Sequence, residues 1–378
     1  MSSLPDPLAS IDHDRPDSDV YRVLDRDGSV LPSASVPDLT DDELRSMYED
    51  VRLARRFDER MISLQRQGRI STYAPMTGQE GAQVASGYAL DGDDWVFPTY
   101  REHALKYVHG MDLTALLLPL RGHRDGYAIP DDVNVLPEYI PIATQLPQAM
   151  GFAWGKELQG ETDTVAMCHF GDGATSEGDF HEGMNFAGVF DAPVVFVCNN
   201  NQWAISVPRE RQTASETIAQ KADAYGIDGV RVDGTDPLAV YQVAREAVLK
   251  AKCPSADELR PSLLEVVLYR FGAHTTADDP SQYRDEEEAE RWRRWDPVNR
   301  LERFLYETGR LDSETQSAIE DRVEEQLSAA IEEAEAAEAD VSELAEHLRE
   351  EPPERLEAQL AELESIRERY GEEAFRHS

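Results

Sequence analysis

The chain has 378 residues, with 75 acidic and 37 basic side chains, a formal net charge of −38 and three cysteines. This length allows one large α/β core with helical additions, or roughly two to three domains. So negative a charge repels nucleic acid, and the apolar runs are too short to cross a membrane. The cysteines form no C-x-x-C pair. We therefore expect a cytoplasmic protein with reduced thiols.

The basic residues are unusual in type, because only five of the 37 are lysine and the others are arginine. A surface covered with carboxylates repels itself in dilute buffer. Salt at about 1 M shortens the Debye length to ~3 Å, which makes such a surface tolerable. We therefore expect a halophilic protein that is adapted to a salt-rich cytoplasm.

The first predicted elements are an arm and a long helix. Residues 1–40 are rich in Asp, Pro and Ser and are predicted to form an extended N-terminal arm. Thr40, followed by three acidic residues, is predicted to cap an amphipathic helix that ends near Gly68. From residue 72 to 275, short apolar runs alternate with helical patterns, which is typical of a mostly parallel sheet with helices on both faces.

The best strand patterns of this α/β region are residues 164–170, 194–198 and 263–269, with a helical pattern at 179–190 between the first two. We expect one domain over residues 41–340, followed by an acidic helical tail over residues 341–378.

Polar motifs follow two of these strands. Gly171-Asp172-Gly173 comes after the first, and a run of three asparagines that ends at Asn201 comes after the second. The carboxyl ends of parallel strands share one edge of a sheet, where α/β proteins bind ligands. Carboxylate, amide and backbone oxygens suit Mg²⁺, and glycines allow phosphates to approach the backbone. Each motif alone is more often a tight turn or a polar loop, but together they favour a site for Mg²⁺ and a phosphate group.

Longer motifs around these residues are more specific. They lie at residues 68–80, 100–103, 134–137, 143–149, 171–188, 200–206 and 269–284. With them the chain resembles the α subunit of the thiamine-diphosphate-dependent 2-oxoacid dehydrogenases, over roughly residues 20–350. The resemblance implies the α/β thiamine-diphosphate-binding fold and thiamine diphosphate with Mg²⁺ as cofactors.

The resemblance also implies roles for individual residues. Asp172, Asn201 and the backbone carbonyl of Trp203 would bind Mg²⁺, and Ile142 would hold the cofactor in its bent shape, although an ordinary core residue is the simpler interpretation of Ile142. Thr144 and Gln145 match a structural potassium site of some relatives. The residues implied for cofactor binding are Tyr100, Arg101, Ile142, Gly171, Asp172, Gly173, Ala174, Asn201 and His274. Without the resemblance, Arg101 would be interpreted as a solvated surface charge.

His274 is the residue implied for catalysis. It would contact the diphosphate and assist transfer of the acyl group to a lipoyl arm, a role that suits an imidazole titrating near neutrality. Four residues match the network that orders its loop, and a local salt-bridge cluster is the alternative for them. They are Arg270, Asp278, Tyr283 and Arg284. Asn199 replaces a residue that is often charged, which leaves one contact to the diphosphate open.

The implied partners follow from what the chain lacks. No motif supplies the carboxylic acid that thiamine catalysis needs at the pyrimidine ring, and in the family a β subunit supplies it. We therefore expect an α₂β₂ heterotetramer that acts on a small 2-oxoacid and on the lipoyl domain of a dihydrolipoyl acyltransferase. Pyruvate is the expected substrate, with a branched-chain 2-oxoacid or acetoin as alternatives.

A non-catalytic α/β protein, either holding a Mg-nucleotide or degenerate, is the competing class. The absence of a Gly-x-Gly-x-x-Gly or Walker motif speaks against the nucleotide version. Intact Tyr100, Arg101, Asp172, Asn201 and His274 speak against degeneracy.

Overall fold

The structure, a computed structural model, describes residues 20–138, 140–256, 258–337 and 353–371. None of the helices in these ranges is both long enough and apolar enough to cross a membrane. The chain divides into two compact units, residues 1–331 and 332–378.

The first unit is built on a six-stranded sheet in which every neighbouring pair is parallel, in the order β1-β7-β8-β4-β3-β2. The strands are β1 (Val20–Tyr21), β2 (Trp95–Phe97), β3 (Ala166–Gly171), β4 (Val194–Asn200), β7 (Asp228–Asp233) and β8 (Ser262–Val267). A short antiparallel pair, β5 (Trp203–Ala204) and β6 (Val207–Pro208), follows β4. All residues of β4 and β8 are buried, as continuous apolar strands covered on both faces should be. The predicted parallel sheet is confirmed, and each of the three predicted strands lies within two residues of its observed start and end.

Helices alternate with these strands and follow them in the chain. They are α1 (Asp41–Arg66), α2 (Glu80–Tyr88), α3 (His103–Val108), α4 (Leu113–Leu117), α5 (Gln145–Leu158), α6 (Gly178–Phe190), α7 (Pro237–Lys252), α8 (Glu286–Arg293), α9 (Pro297–Glu307) and α10 (Ser313–Ala336). α5 and α6 pack a buried cluster that includes Leu146, Phe180 and Met184 against the side chains of β3 and β4. This packing holds the carboxyl ends of β3 and β4 in a fixed relation.

The predicted cap of α1 is present. The Thr40 hydroxyl accepts a hydrogen bond from the Glu43 backbone, and the Glu43 carboxylate accepts one from the Thr40 backbone at 2.7 Å. This reciprocal pair satisfies two donors at the start of the helix. The helix ends at Arg66, close to the predicted Gly68.

The predicted N-terminal arm is partly described. Residues 1–19 lie outside the described ranges, and Val20–Tyr21 joins the sheet as its edge strand. The buried Asp236 carboxylate accepts from the backbone N–H groups of Val23 and Leu24, at 2.8 and 2.6 Å. Arg300, also buried, donates to the carbonyls of Leu24 and Asp25. Burial of these charges requires such partners, so residues 20–25 are part of the core unit and not a free arm.

The second unit contains α11 (Glu354–Tyr370), which follows Pro353 as expected from the sequence. The remainder of the predicted tail, 341–352 and 372–378, lies outside the described residues. The predicted domain boundary at residue 340 stays a prediction.

Candidate functional site

A cavity opens at the carboxyl edge of the sheet, where β3, β4 and β8 end. Its wall contains every residue that the resemblance assigned to the cofactor or to Mg²⁺: Tyr100, Arg101, Ile142, Gly171, Asp172, Gly173, Ala174, Asn201, Trp203 and His274. These residues come from five separate segments of the chain. The rule for parallel sheets that placed Asp172 and Asn201 together therefore holds in this structure.

Asp172 follows β3 and is 2% exposed. Its Oδ2 accepts a hydrogen bond from the Gln212 amide at 3.0 Å. Burial raises the pKa of Asp172 to about 6, and this outweighs the hydrogen bonds and the more distant Arg270, which lower it. A buried carboxylate with a raised pKa is a group that a bound cation would stabilise.

Asn201, the second residue predicted to bind the cation, lies on a strained turn after β4. Gln202 has a φ of 74°, in the left-handed region, and its amide donates to the backbone oxygen of Asn200 at 2.9 Å. The Trp203 N–H donates to Asn201 Oδ1 at 3.2 Å. Below the turn, Asn200 donates to the buried Glu265 carboxylate of β8 at 2.8 Å. A costly backbone conformation held by several hydrogen bonds is typical of a functional site.

Mg²⁺ suits the oxygens of Asp172, Asn201 and Trp203. Among the described residues, no group of three or more His, Cys, Asp or Glu side chains is arranged to hold a metal. Asp172 would be the single carboxylate beside the oxygens of Asn201 and Trp203. A site with one carboxylate leaves room for phosphate oxygens and water in an octahedral shell.

Two glycines at the end of β3 differ in their surroundings. A Cβ on Gly171 would meet nothing within 4 Å, since the space next to it is the cavity. A Cβ on Gly173 would lie 2.7 Å from Ala204 Cβ. Gly171 thus keeps space for a ligand, whereas Gly173 permits close packing against β5.

Arg101 is buried, which contradicts its interpretation as a solvated surface charge. It is 5% exposed and donates to the Pro75 carbonyl at 2.5 Å and to the His274 carbonyl at 3.1 Å. The ring of Tyr100 meets the imidazole of His274 edge-on, with centroids 6.2 Å apart. A guanidinium at this place is suited to bind phosphate oxygens.

The loop after β8 carries His274, and the four residues predicted to order it form a connected set. Asp278 accepts from the His274 N–H at 2.7 Å and from the Tyr283 hydroxyl at 2.5 Å. Arg270 donates to the Tyr283 oxygen at 3.0 Å, and Arg284 donates to the Arg270 carbonyl at 2.7 Å. The four residues are therefore linked by hydrogen bonds, with one acid and two guanidiniums, and not chiefly by ion pairs.

His274 differs from expectation in its protonation. Burial, followed by the charges of Arg101 and Arg270, lowers its pKa to about 4. This pKa is lower than the near-neutral value expected from the sequence, because the ring is buried and two guanidiniums face it. An anion bound to the two guanidiniums would offset this effect. The catalytic role of His274 stays a prediction.

Ile142 is not a core residue, since it is 47% exposed and lies in the cavity wall. The next residue, Ala143, has a φ of 70°, which strains a residue with a side chain. Of the two predicted potassium ligands, Gln145 lines the cavity and donates to the His169 carbonyl at 2.9 Å. Thr144 is not part of the cavity wall, and its hydroxyl donates to the carbonyl of Pro141 at 3.0 Å. The potassium site stays a prediction.

Several residues of the cavity wall received no role from the sequence. They are Gln79, Thr99, Glu102, Pro141, Ala143, Phe170, Glu177, Ala204 and Ile205. Glu102 accepts from Asn199 at 3.1 Å and from the Thr99 backbone at 2.7 Å, and it is 2% exposed. Asn199 lies in the wall with an unpartnered Oδ1. The signal for Gln79 and Glu102 was available, because both lie inside motifs that carried the resemblance.

An α/β protein with a polar cavity at the carboxyl edge of a parallel sheet is the class that this fold and this cavity define, and the wall contains side chains suited to a cation and to phosphate. The family model described as "Dehydrogenase E1 component" matches residues 48–342. Two similar relatives are named "Pyruvate dehydrogenase E1 component subunit alpha", from Staphylococcus aureus (strain Mu50) and Staphylococcus epidermidis (strain RP62A). Each is 42% identical over 343 residues, which cover 90% of this chain and 91% of the relative.

This chain belongs to the dehydrogenase E1 component family. The resemblance indicated by its motifs is confirmed, and with it the predicted fold class.

Proposed function

We propose that this chain is the α subunit of a pyruvate dehydrogenase, which decarboxylates pyruvate with thiamine diphosphate and Mg²⁺ and transfers the acetyl group to a lipoyl group. The observation that supports this most directly is one cavity wall that contains Arg101, Asp172, Asn201 and His274 in a chain of the E1 family. The names of relatives that align with nearly the whole chain support pyruvate as the substrate.

The chemistry of the wall fits the cofactor. Asp172, Asn201 and the Trp203 carbonyl would hold Mg²⁺, and a cation there would stabilise the charged form of Asp172, whose pKa burial raises to about 6. Tyr100 and Arg101 would hold the diphosphate, with space kept by Gly171. Thiamine diphosphate, when bound, supplies the electron sink for decarboxylation.

His274 and its network would act on the substrate side. Arg101 and Arg270 face Nδ1 of His274 at 3.2 and 3.3 Å, and since guanidiniums only donate, this nitrogen accepts and the proton of the neutral ring is on Nε2. An Nε2–H group can donate to a reacting oxygen or sulfur during acyl transfer. The bond from the His274 backbone N–H to Asp278 holds the backbone of the loop, and the two guanidiniums at Nδ1 hold the ring.

A β subunit is the partner that we propose. Ile142 and Ile205, in the cavity wall, are 47% and 55% exposed, which is unusual for large apolar side chains beside a ligand site. A β chain that covers this side would bury them and add the carboxylic acid for the pyrimidine ring. An α₂β₂ assembly, the acyltransferase partner and a cytoplasmic location stay predictions.

The test is to co-express the chain with its β subunit in high salt and to assay decarboxylation of pyruvate, 2-oxoisovalerate and 2-oxo-3-methylvalerate, and cleavage of acetoin. We expect pyruvate to be preferred and turnover to disappear in Asp172→Ala but not in Asp163→Ala, which changes an exposed carboxylate. Preference for a branched-chain substrate or acetoin would reassign the substrate. A folded assembly that binds the cofactor and turns over none of the four compounds would contradict the enzyme activity.

A further inference from the structure

One side chain of the cavity wall has a polar group without a partner. Gln79 is 1% exposed, and its Nε2 forms no hydrogen bond with any described residue. The side chain lines the same cavity as Arg101 and Asp172. An unpartnered buried donor is costly, and native proteins rarely keep one without a reason.

The orientation of the Gln79 amide follows from a chain of hydrogen bonds. A backbone N–H can only donate, so the Trp203 N–H at 3.2 Å requires Oδ1 on that side of Asn201. The Asn201 amino group then faces Gln79 and donates to its Oε1 at 3.4 Å. The Gln79 amino group therefore points away from Asn201. The backbone N–H of Trp203 determines, through Asn201, which end of the Gln79 amide is oxygen and which is nitrogen.

The backbone beneath Gln79 is rigid. Gly78 has a φ of 95°, and a Cβ there would lie 2.3 Å from the Tyr269 carbonyl oxygen, so the turn accepts only glycine. Glu80 is fully buried; its carboxylate accepts from the Gly78 N–H at 2.5 Å and pairs with Arg55. Gln79 cannot easily turn to find another partner, which indicates that its free donor is kept for a ligand.

We propose that Gln79 is a binding residue with two functions: its Oε1 orients Asn201 for the cation, and its Nε2–H donates to an oxygen of the diphosphate. This inference rests on the proposed cofactor and adds a residue to its site. A neutral donor at this position would bind the phosphate oxygen nearest the cation without competing for the cation itself.

The decisive variant is Gln79→Glu. It keeps an oxygen that can accept from Asn201, removes the donor and adds a negative charge next to the diphosphate. Gln79→Ala removes both functions. Gln220→Glu makes the same change of charge at an exposed glutamine and is the matched control. The assay is calorimetric binding of thiamine diphosphate, and separately of inorganic diphosphate, with Mg²⁺ to the full chain assembled with its β subunit.

We expect Gln79→Glu and Gln79→Ala to weaken the binding of both ligands by roughly tenfold or more, and Gln220→Glu to bind like the unchanged protein. If Gln79→Glu binds normally and only Gln79→Ala is impaired, the residue only positions Asn201 and the donor function is wrong. Normal binding by both variants overturns the whole inference.

If the unchanged protein binds no thiamine diphosphate, the result contradicts the proposed function and not the role of Gln79 alone. Should Gln79→Glu fold poorly, Gln79→Met removes the donor at similar volume, and unchanged affinity of that variant would overturn the donor function.

Discussion

Arg101 Nη2 lies 3.2 Å from Nδ1 of His274 and donates to the carbonyl oxygen of the same residue at 3.1 Å. Its other amino group, Nη1, donates to the Pro75 carbonyl at 2.5 Å. One guanidinium thus joins the loop after β8 to the segment before α2, and both border the cavity. The planar fork that allows this is a property of arginine that lysine does not share.

Arg101→Lys is therefore expected to keep the positive charge and to weaken cofactor binding. A single ammonium cannot replace the contacts to Pro75 and His274 while it binds phosphate, so we expect cofactor affinity to fall roughly tenfold or more. Limited proteolysis should also cut the His274 loop faster. Arg294→Lys, at an exposed position, is the control for the change itself. Equal affinity in the two variants would mean that Arg101 acts as a point charge only.

Gly171→Ala is expected to weaken cofactor binding, whereas Gly173→Ala is expected to destabilise the fold. The new methyl at position 173 would press on Ala204 Cβ and should lower the free energy of unfolding by about 1–3 kcal/mol. At position 171, the backbone has a φ of −87°, which alanine adopts readily, so stability should be kept or rise by up to about 1 kcal/mol. The methyl would nevertheless project into the cavity and weaken cofactor binding. Denaturant unfolding and calorimetric binding separate the two effects, and similar losses of stability would contradict this distinction.

Asp172→Asn is expected to stabilise the protein without cofactor while it abolishes Mg²⁺-dependent binding. The folded-state pKa of Asp172, about 6, lies above its ordinary value. The folded protein therefore binds this proton more tightly than the unfolded chain, and ionisation costs stability as the pH rises through about 6. An amide removes this cost, so unfolding near neutral pH should require about 3 kcal/mol more. The gain should shrink as the pH falls from about 6 toward the ordinary pKa of Asp and should be absent below it. An Asp172→Asn protein that is less stable at neutral pH would contradict the electrostatic argument.

The sequence predicts one part of this site well and another part poorly. Asp172 and Asn201 follow neighbouring parallel strands, and a rule of topology alone brings them together. Gln79 meets Asn201 from 122 residues away, and Glu265 supports Asn200 from the middle of an apolar strand. Such contacts depend on tertiary packing, which the local pattern does not encode. The same holds for the lowered pKa of His274, because its causes are the burial of the ring and two arginines that only the fold places beside it.

Buried histidines are expected to limit stability in acid. Burial lowers the pKa of His169 to about 3, and burial with two guanidiniums lowers that of His274 to about 4. Both rings are neutral in the folded protein above these values, while the unfolded chain takes up protons near the ordinary pKa of about 6.5. The stability that they contribute is thus complete above that pH and is lost as the pH falls toward the folded-state values. His169→Gln should flatten the decline in unfolding midpoint below about pH 6. An unchanged slope would mean that carboxylates govern acid unfolding.

Salt is expected to stabilise the protein even though it weakens the surface ion pairs. Exposed pairs such as Arg322–Glu49 contribute about 0–1 kcal/mol each, and screening reduces this. The repulsion among 75 acidic side chains against 37 basic ones acts over the whole surface and is screened as well. Because acids outnumber bases about two to one, screening of the repulsion should stabilise the protein more than screening of the ion pairs destabilises it. The thermal unfolding midpoint should therefore rise with KCl up to at least about 1 M. The double variant Asp321→Lys/Glu325→Lys, at two exposed positions of α10, should show a smaller dependence on salt because it lowers the net negative charge. Full stability in dilute buffer, or the same salt dependence in this variant, would refute the expected adaptation to salt.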